Sequence, residues 1–145
     1  MMNFFETTLT STKVRPNDLD SLGHVNNATI LEYFELARWE WMEHFKLQHD
    51  GDIVPVVASI HIDYRAEILP GLIQIQTELE QSEKAFSYQV FFKQTMTQLR
   101  QDQEKITAQG RIKVAFIHRH QKSLCSVDEF LALAPKNSER EVIHA

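Results

Sequence analysis

From Ala28 to Leu47 the chain runs twenty residues without a glycine or a proline, and within that run apolar side chains recur at helical spacing. Ile30, Leu31, Phe34, Ala37, Trp41 and Phe45 step by three or four positions, the repeat that stacks side chains on one face of an α-helix. Tyr33, Leu36, Trp39 and Met42 widen the apolar belt well beyond one stripe. A helix apolar over so much of its circumference must be covered by other structure. The spacing therefore predicts one long helix over 28–47, largely enclosed, with Asn26 or Asn27 as its N-cap.

What encloses it is read from the change of period that follows. In residues 54–65 the even positions Val54, Val56, Ala58, Ile60, Ile62 and Tyr64 are mostly apolar, while the odd set includes Ser59, His61, Asp63 and Arg65. A period of two marks a strand. Pro70 and Gly71 break the pattern, and Ile73, Ile75, Thr77 and Leu79 then alternate with polar residues in a second strand. After the polar turn over 81–84, Phe86, Tyr88, Val90 and Phe92 mark a third, and Ala108, Ile112, Val114 and Phe116 a fourth. A further strand is expected over 3–15, ending at Pro16, and a short closing helix over 127–134, with Ser126 and Glu129 as its capping box. Short polar turns favour antiparallel pairing. The fold class is thus α+β, a long helix against an antiparallel sheet of about five strands, in a single domain spanning 1–145. One helix leaves sheet edges and apolar surface uncovered, which predicts a homo-oligomer.

Composition excludes several functions. The net charge is −5, with cations scattered, so no footprint for nucleic acid is present. No run approaches the length of a membrane span. The single cysteine, Cys125, cannot pair internally and favours a reducing cytoplasmic setting, where it is expected to be a small inert packing residue. His118 and His120 stand two apart, but no Cys, His or acidic partner sits at a recognisable ligand spacing, so no metal is expected. Ser59, His61 and Asp63 hold the residue types of a hydrolase triad. Spaced i, i+2, i+4 on a strand, they form a row rather than a nest, and suit a polar face that lines a ligand site. Glu35 is expected to pair with Arg38 at i+3.

The segment over 17–27 carries the chemistry. Asp20, with Asp18 beside it, precedes a helix start whose backbone N–H groups have no intrahelical acceptor. A carboxylate there can act as nucleophile or general base while those groups stabilise an oxyanion. The same spacing equally fits Asx-turns, and by residue types alone the turn reading is the commoner. Gly23 serves both, permitting positive φ or the close approach of a ligand.

At 14–42, where Asp18, Asp20, Gly23, His24, Val25, Asn26, Asn27, Tyr33, Phe34, Glu35, Ala37 and Arg38 fall in register, the chain closely resembles the hotdog-fold acyl-CoA thioesterases of the 4-hydroxybenzoyl-CoA thioesterase family. The strand, Pro-Gly turn and strand over 59–79 resemble the same family more weakly. The resemblance implies a hotdog fold in which the sheet wraps the helix, assembled as a homodimer or homotetramer, without a cofactor. It implies hydrolysis of acyl-CoA thioesters, fatty acyl or aryl, with Asp20 as the catalytic carboxylate, Asp18 structural, and the Asn27 N–H polarising the carbonyl. Gly23, His24, Ser59 and His61 are expected around the substrate. Two rivals remain on this reading: an acyl-carrier-protein thioesterase, and a non-catalytic acyl-ligand binder that keeps the fold.

Overall fold

The computed structural model describes residues 3–48, 51–80 and 87–134. Strand β1 (Thr8–Lys13) leads through a 3₁₀ turn (Pro16–Asp18) to helix α1 (Asn27–His44). Strands β2 (Ile53–Tyr64), β3 (Leu72–Leu79), β4 (Gln89–Arg100), β5 (Gln103–His118) and β6 (Ser123–Cys125) follow, and helix α2 (Val127–Leu131) closes the described chain. The sheet is antiparallel throughout, in the order β1-β3-β4-β5-β2, with β6 added to β5. This is the α+β hotdog architecture, with six strands rather than about five. The sixth was missed because three residues are too few to show a period.

Several boundaries move for identifiable reasons. The first strand is shorter than 3–15, since the Phe5 N–H bonds Asn3 Oδ1 and the Glu6 N–H bonds the Asn3 carbonyl, turning the chain before β1. Helix α1 stops at His44 instead of Leu47. Lys46 adopts φ +59°, and the N–H groups of Lys46 and Leu47 return to the carbonyls of Glu43 and Met42. That is a Schellman cap built on lysine, so no glycine marked it. The third and fourth strands are longer than their apolar marks and join at Gln101 and Asp102, both at positive φ, a tight hairpin turn without the usual Asn-Gly signal. Buried Gln94 and Gln98 concealed the continuation of β4. Phe86 and the turn over 81–84 lie outside the described residues.

Strand β2 departs most from its pattern. Its register against β5 shifts between Val57 and Ser59, a bulge that reverses which side chains face α1. Val57 pairs with Val114 and Pro55 with Phe116, whereas beyond the bulge Ile60 pairs with Ile112 and Ile62 with Gly110. The inward set is therefore odd before the bulge and even after it, not even throughout. Gly110 leaves space at this point of the core: a Cβ there would lie 3.1 Å from Ile112 Cδ1 and 3.7 Å from Phe34 Cζ of α1.

One face of α1 packs on the sheet in two groups. Trp41 meets Phe92 edge-on at 5.0 Å and Phe45 at 4.8 Å, while Phe34, Ile73, Ile75 and Met96 form the second group nearer the helix start. Phe130 of α2 stacks on Phe116 of β5 at 4.3 Å. The enclosure is incomplete, contrary to the expectation from the apolar belt: Leu31, Leu36 and Trp39 are exposed on α1, as are Val56, Val57, Ile60 and Tyr64 on β2. A sheet on one side covers only one face of a cylinder.

The expected Glu35–Arg38 pair is also replaced. Arg38 is buried and donates to Gln94 Oε1 at 3.0 Å, while the Gln94 amide donates to the Phe34 carbonyl at 2.9 Å and to Thr77 Oγ1 at 3.0 Å. Burial lowers the affinity of Arg38 for its proton, and the charge of Glu35 partly offsets this from a distance. Turning inward lets the guanidinium reach an acceptor on β4 that the helix surface does not offer.

Candidate functional site

The two aspartates are held in opposite ways. Asp18 is buried, and its carboxylate accepts from the Tyr33 hydroxyl, the Arg15 backbone N–H at 3.0 Å and the Arg15 guanidinium. Burial opposes its ionisation, but the bonds from Tyr33 and Arg15 together outweigh that and hold the carboxyl below its usual range. Tyr33 is pushed the other way, by burial and by the carboxylate it bonds.

Asp20 is exposed two residues on. Between them the chain makes a tight hairpin: Leu19 bridges Val25, the Asp20 N–H bonds the His24 carbonyl at 2.7 Å, and the Asn26 N–H bonds the Asp18 carbonyl at 3.1 Å. Gly23, at φ +79°, occupies the left-handed corner that a side chain would strain. Asp20 Oδ1 accepts from the N–H groups of Leu22 at 2.9 Å and His24 at 3.1 Å, so the Asx-turn is present. Oδ2 has no partner among the described residues.

The hairpin that carries this carboxylate runs directly into the start of α1. Asn26 is the N-cap, its Oδ1 accepting from the Ala28 N–H at 2.8 Å. Among the described residues the Asn27 N–H, one position earlier, has no acceptor. A free carboxylate oxygen and a free helix N-terminal donor thus flank one short segment, a combination able to take a proton and to hold an oxyanion.

The loop over 65–71 supports this segment. The Val25 N–H bonds the Ile68 carbonyl at 3.2 Å, and His24 Nε2 lies 2.8 Å from Glu67 Oε2. Gln98 of β4 fixes the loop in turn, accepting from the Leu69 N–H at 3.1 Å and donating to its carbonyl at 2.7 Å. Glu67 and Gln98 were not foreseen, because their role depends on pairings 29 and 43 positions apart that no local period encodes.

Ser59 and His61 are placed elsewhere. They pair with Lys113 and Arg111 on the face of β2 turned away from α1, and His61 Nε2 lies 3.3 Å from Asp63 Oδ1. Within one chain they are not brought together with Asp20. An apolar pocket of about 80 Å³ opens instead between α1 and β2, lined by Glu35, Arg38, Trp39, Met42, Pro55 and Val57 over a floor of core aromatics. Asn27, Leu31, Glu35, Arg38 and Met42 follow one another at helical spacing, so one face of α1 leads from its N-terminus to this pocket.

Residues 14–134 match the family model described as the thioesterase-like superfamily. The chain belongs to that family. It is 41% identical over 76 residues to the long-chain acyl-CoA thioesterase FadM of Escherichia coli strain K12, a match that covers 50% of this chain and 58% of that protein's length. Among solved structures it is similar to YbaW, a probable thioesterase from Escherichia coli, at 26% identity and a TM-score of 0.68, over 89% of this chain and 96% of that one. A 1,4-dihydroxy-2-naphthoyl-CoA thioesterase from Synechocystis shares the fold at 16% identity and a TM-score of 0.74, over 89% of this chain and 95% of that one. None of the described helices is long and apolar enough to cross a membrane.

Proposed function

We propose that this chain is a cytoplasmic thioesterase that hydrolyses acyl-CoA to free acid and CoA. The observation that carries the reading is a single short hairpin that holds Asp20, with Oδ2 free, and runs into α1, where the Asn27 N–H is free. Family membership and the partial match to a long-chain acyl-CoA thioesterase support it.

In this reading the thioester carbonyl oxygen accepts from the Asn27 N–H, which stabilises the negative charge that develops on it. Two routes share the geometry. Asp20 takes a proton from water as the water oxygen bonds the carbonyl carbon, or it attacks that carbon itself and water then hydrolyses the mixed anhydride. Either way the C–S bond breaks, CoA leaves as a thiolate that regains a proton, and the acid is released. Gly23 and His24 border the reacting centre.

The acyl chain follows the Asn27–Leu31–Glu35 face toward the apolar pocket, whose α1 residues lie roughly 12–22 Å along the helix from Asn27. The partial match to a long-chain acyl-CoA thioesterase favours a long chain on this path. Ser59 and His61 keep a role only through the CoA portion, beside the cations Arg111 and Lys113.

The test is thiol release from acyl-CoAs of graded chain length. Hydrolysis that rises with length is expected, and no release from any of them would end the reading.

Assembly belongs to the same proposal. Strand β2 forms one edge of the sheet over twelve residues and carries exposed Val57, Ile60 and Tyr64 on its α1-facing side, and Leu36 and Trp39 of α1 are exposed as well. Such an edge calls for a partner strand, and a second copy pairing through β2 buries both apolar surfaces. Light scattering in solution should read at least twice the chain mass; the mass of one chain would remove this part.

A further inference from the structure

At the end of the sheet remote from Asp20, three side chains from three elements converge. His118 ends β5, Cys125 ends β6, and Glu129 lies in α2. Their ligand-type atoms all lie within 4.8 Å of one another: His118 Nε2 is 3.4 Å from Glu129 Oε2, and Cys125 Sγ is 3.5 Å from the same oxygen. The sequence offers no partner for His118 at a recognisable ligand spacing and predicts no metal there. The partners come from a turn and a docked helix, not from a recognisable spacing, and His120 does not take part.

These two separations suit a tetrahedral zinc ion. Bonds of about 2.0–2.2 Å to nitrogen and oxygen and 2.3 Å to sulfur give edges of roughly 3.4 Å between N and O and roughly 3.6 Å between S and O. The remaining edge, from imidazole to sulfur, lies within 4.8 Å and closes by up to about 1.2 Å to reach the tetrahedral value. An ion pair between His118 and Glu129 needs only two groups; the buried thiol, 3.3 Å from the Ser126 carbonyl and within reach of the same carboxylate oxygen, is the additional observation.

The surroundings are built rather than incidental. Ser126 Oγ lies 3.4 Å from the other carboxylate oxygen and accepts from the Glu129 N–H at 3.2 Å, which orients the carboxylate from behind. Phe130, one residue on, anchors α2 to β5 by stacking on Phe116. His118 and Glu129 are partly exposed, leaving room for a water as fourth ligand.

We propose that His118, Cys125 and Glu129 form a binding site for a divalent transition ion, zinc in the first instance, which fastens β6 and α2 to the end of β5. One thiolate, one carboxylate and one neutral imidazole balance the ion's charge, and the mixed S/N/O donor set favours zinc over harder cations. The thiol proton goes to solvent as the metal–sulfur bond forms. The site lies at the Ile53 end of β2, whereas the Asp20 loop adjoins the Tyr64 end, roughly 35 Å away along the strand. Its role is structural and independent of the thioesterase reading.

The experiment uses the whole chain, free of any affinity tag and dialysed against chelator, titrated first with cobalt(II) and then with zinc. One equivalent of cobalt should produce a thiolate-to-metal charge-transfer band, which one equivalent of zinc abolishes. Because Cys125 is the only cysteine, that band reports this site alone, whatever the other histidines bind. Cys125→Ser should lose the band. His118→Gln and Glu129→Gln, at partly exposed positions, should fold and lower cobalt affinity by at least about tenfold. Zinc should raise the thermal midpoint of the native chain but not of His118→Gln. Absence of the band at stoichiometric cobalt, or unchanged affinity in both surface variants, overturns the proposal.

Discussion

Asp20→Asn is expected to lower kcat/KM for acyl-CoA hydrolysis by about 10²–10⁴-fold, the range that a positioned acid–base group supplies. The folded state should be almost unaffected. An Asn side chain keeps the Oδ1 acceptor that the Leu22 and His24 N–H groups use, so the hairpin and Gly23 corner persist, while the basic oxygen becomes an amide. The thermal midpoint is therefore expected to match the native chain, and thiol release and melting are measured on the same preparation. If the variant keeps full activity, Asp20 is a turn residue and no more. If it melts early, the loss of activity says nothing about chemistry. Asp20→Ala is the instructive contrast, since it removes the acceptor as well as the base and should lose both hairpin bonds along with the rate.

What was legible in the sequence follows from the range over which each feature is encoded. Helix α1 and its Asn26 cap, the antiparallel strands and the Ser126–Glu129 capping box are written within a few positions, and those were readable. The bulge in β2 was not, because the chain alternates apolar and polar residues straight through it, and only the partner strand shows that the inward set changes parity. Gln94 and Gln98 read as surface positions, yet each is buried, satisfied by groups on other elements. Arg38 followed Gln94 inward for the same reason. The His118, Cys125 and Glu129 cluster shares this character: it exists only after β6 and α2 fold back on β5. The division between the two aspartates was legible only through resemblance. Spacing alone makes Asp18 and Asp20 equivalent, whereas the structure buries one and exposes the other.

Asp18→Asn is expected to act on stability and on its dependence on pH. The carboxylate accepts from the Tyr33 hydroxyl and the Arg15 N–H through one oxygen, Oδ2, in a nearly water-free position, and an amide oxygen placed there accepts the same bonds without the charge that strengthens them. Replacing charge-assisted bonds by neutral ones, with the amide N–H turned toward the Arg15 guanidinium, costs about 1–3 kcal/mol, read as a thermal midpoint lower by roughly 3–10 °C for a chain of this size. The exposed Arg15 guanidinium adds little, being screened by water. Because folding depresses the Asp18 pKa, the native chain carries this stabilisation fully above the unfolded carboxyl range, and loses it as the pH falls below about 4 and through the folded value. The gap between native and variant should therefore be widest near neutrality and close in acid. Melts of both proteins at pH 7 and pH 3 measure it. Equal stability at pH 7 would show that Asp18 contributes no net hold, and a gap that persists unchanged at pH 3 would show that its charge is not the source. Activity should fall far less than in Asp20→Asn at temperatures where both variants are folded. Asp18 reaches the substrate only through the Asn26 N–H bonded to its carbonyl, a main-chain contact that the substitution leaves in place.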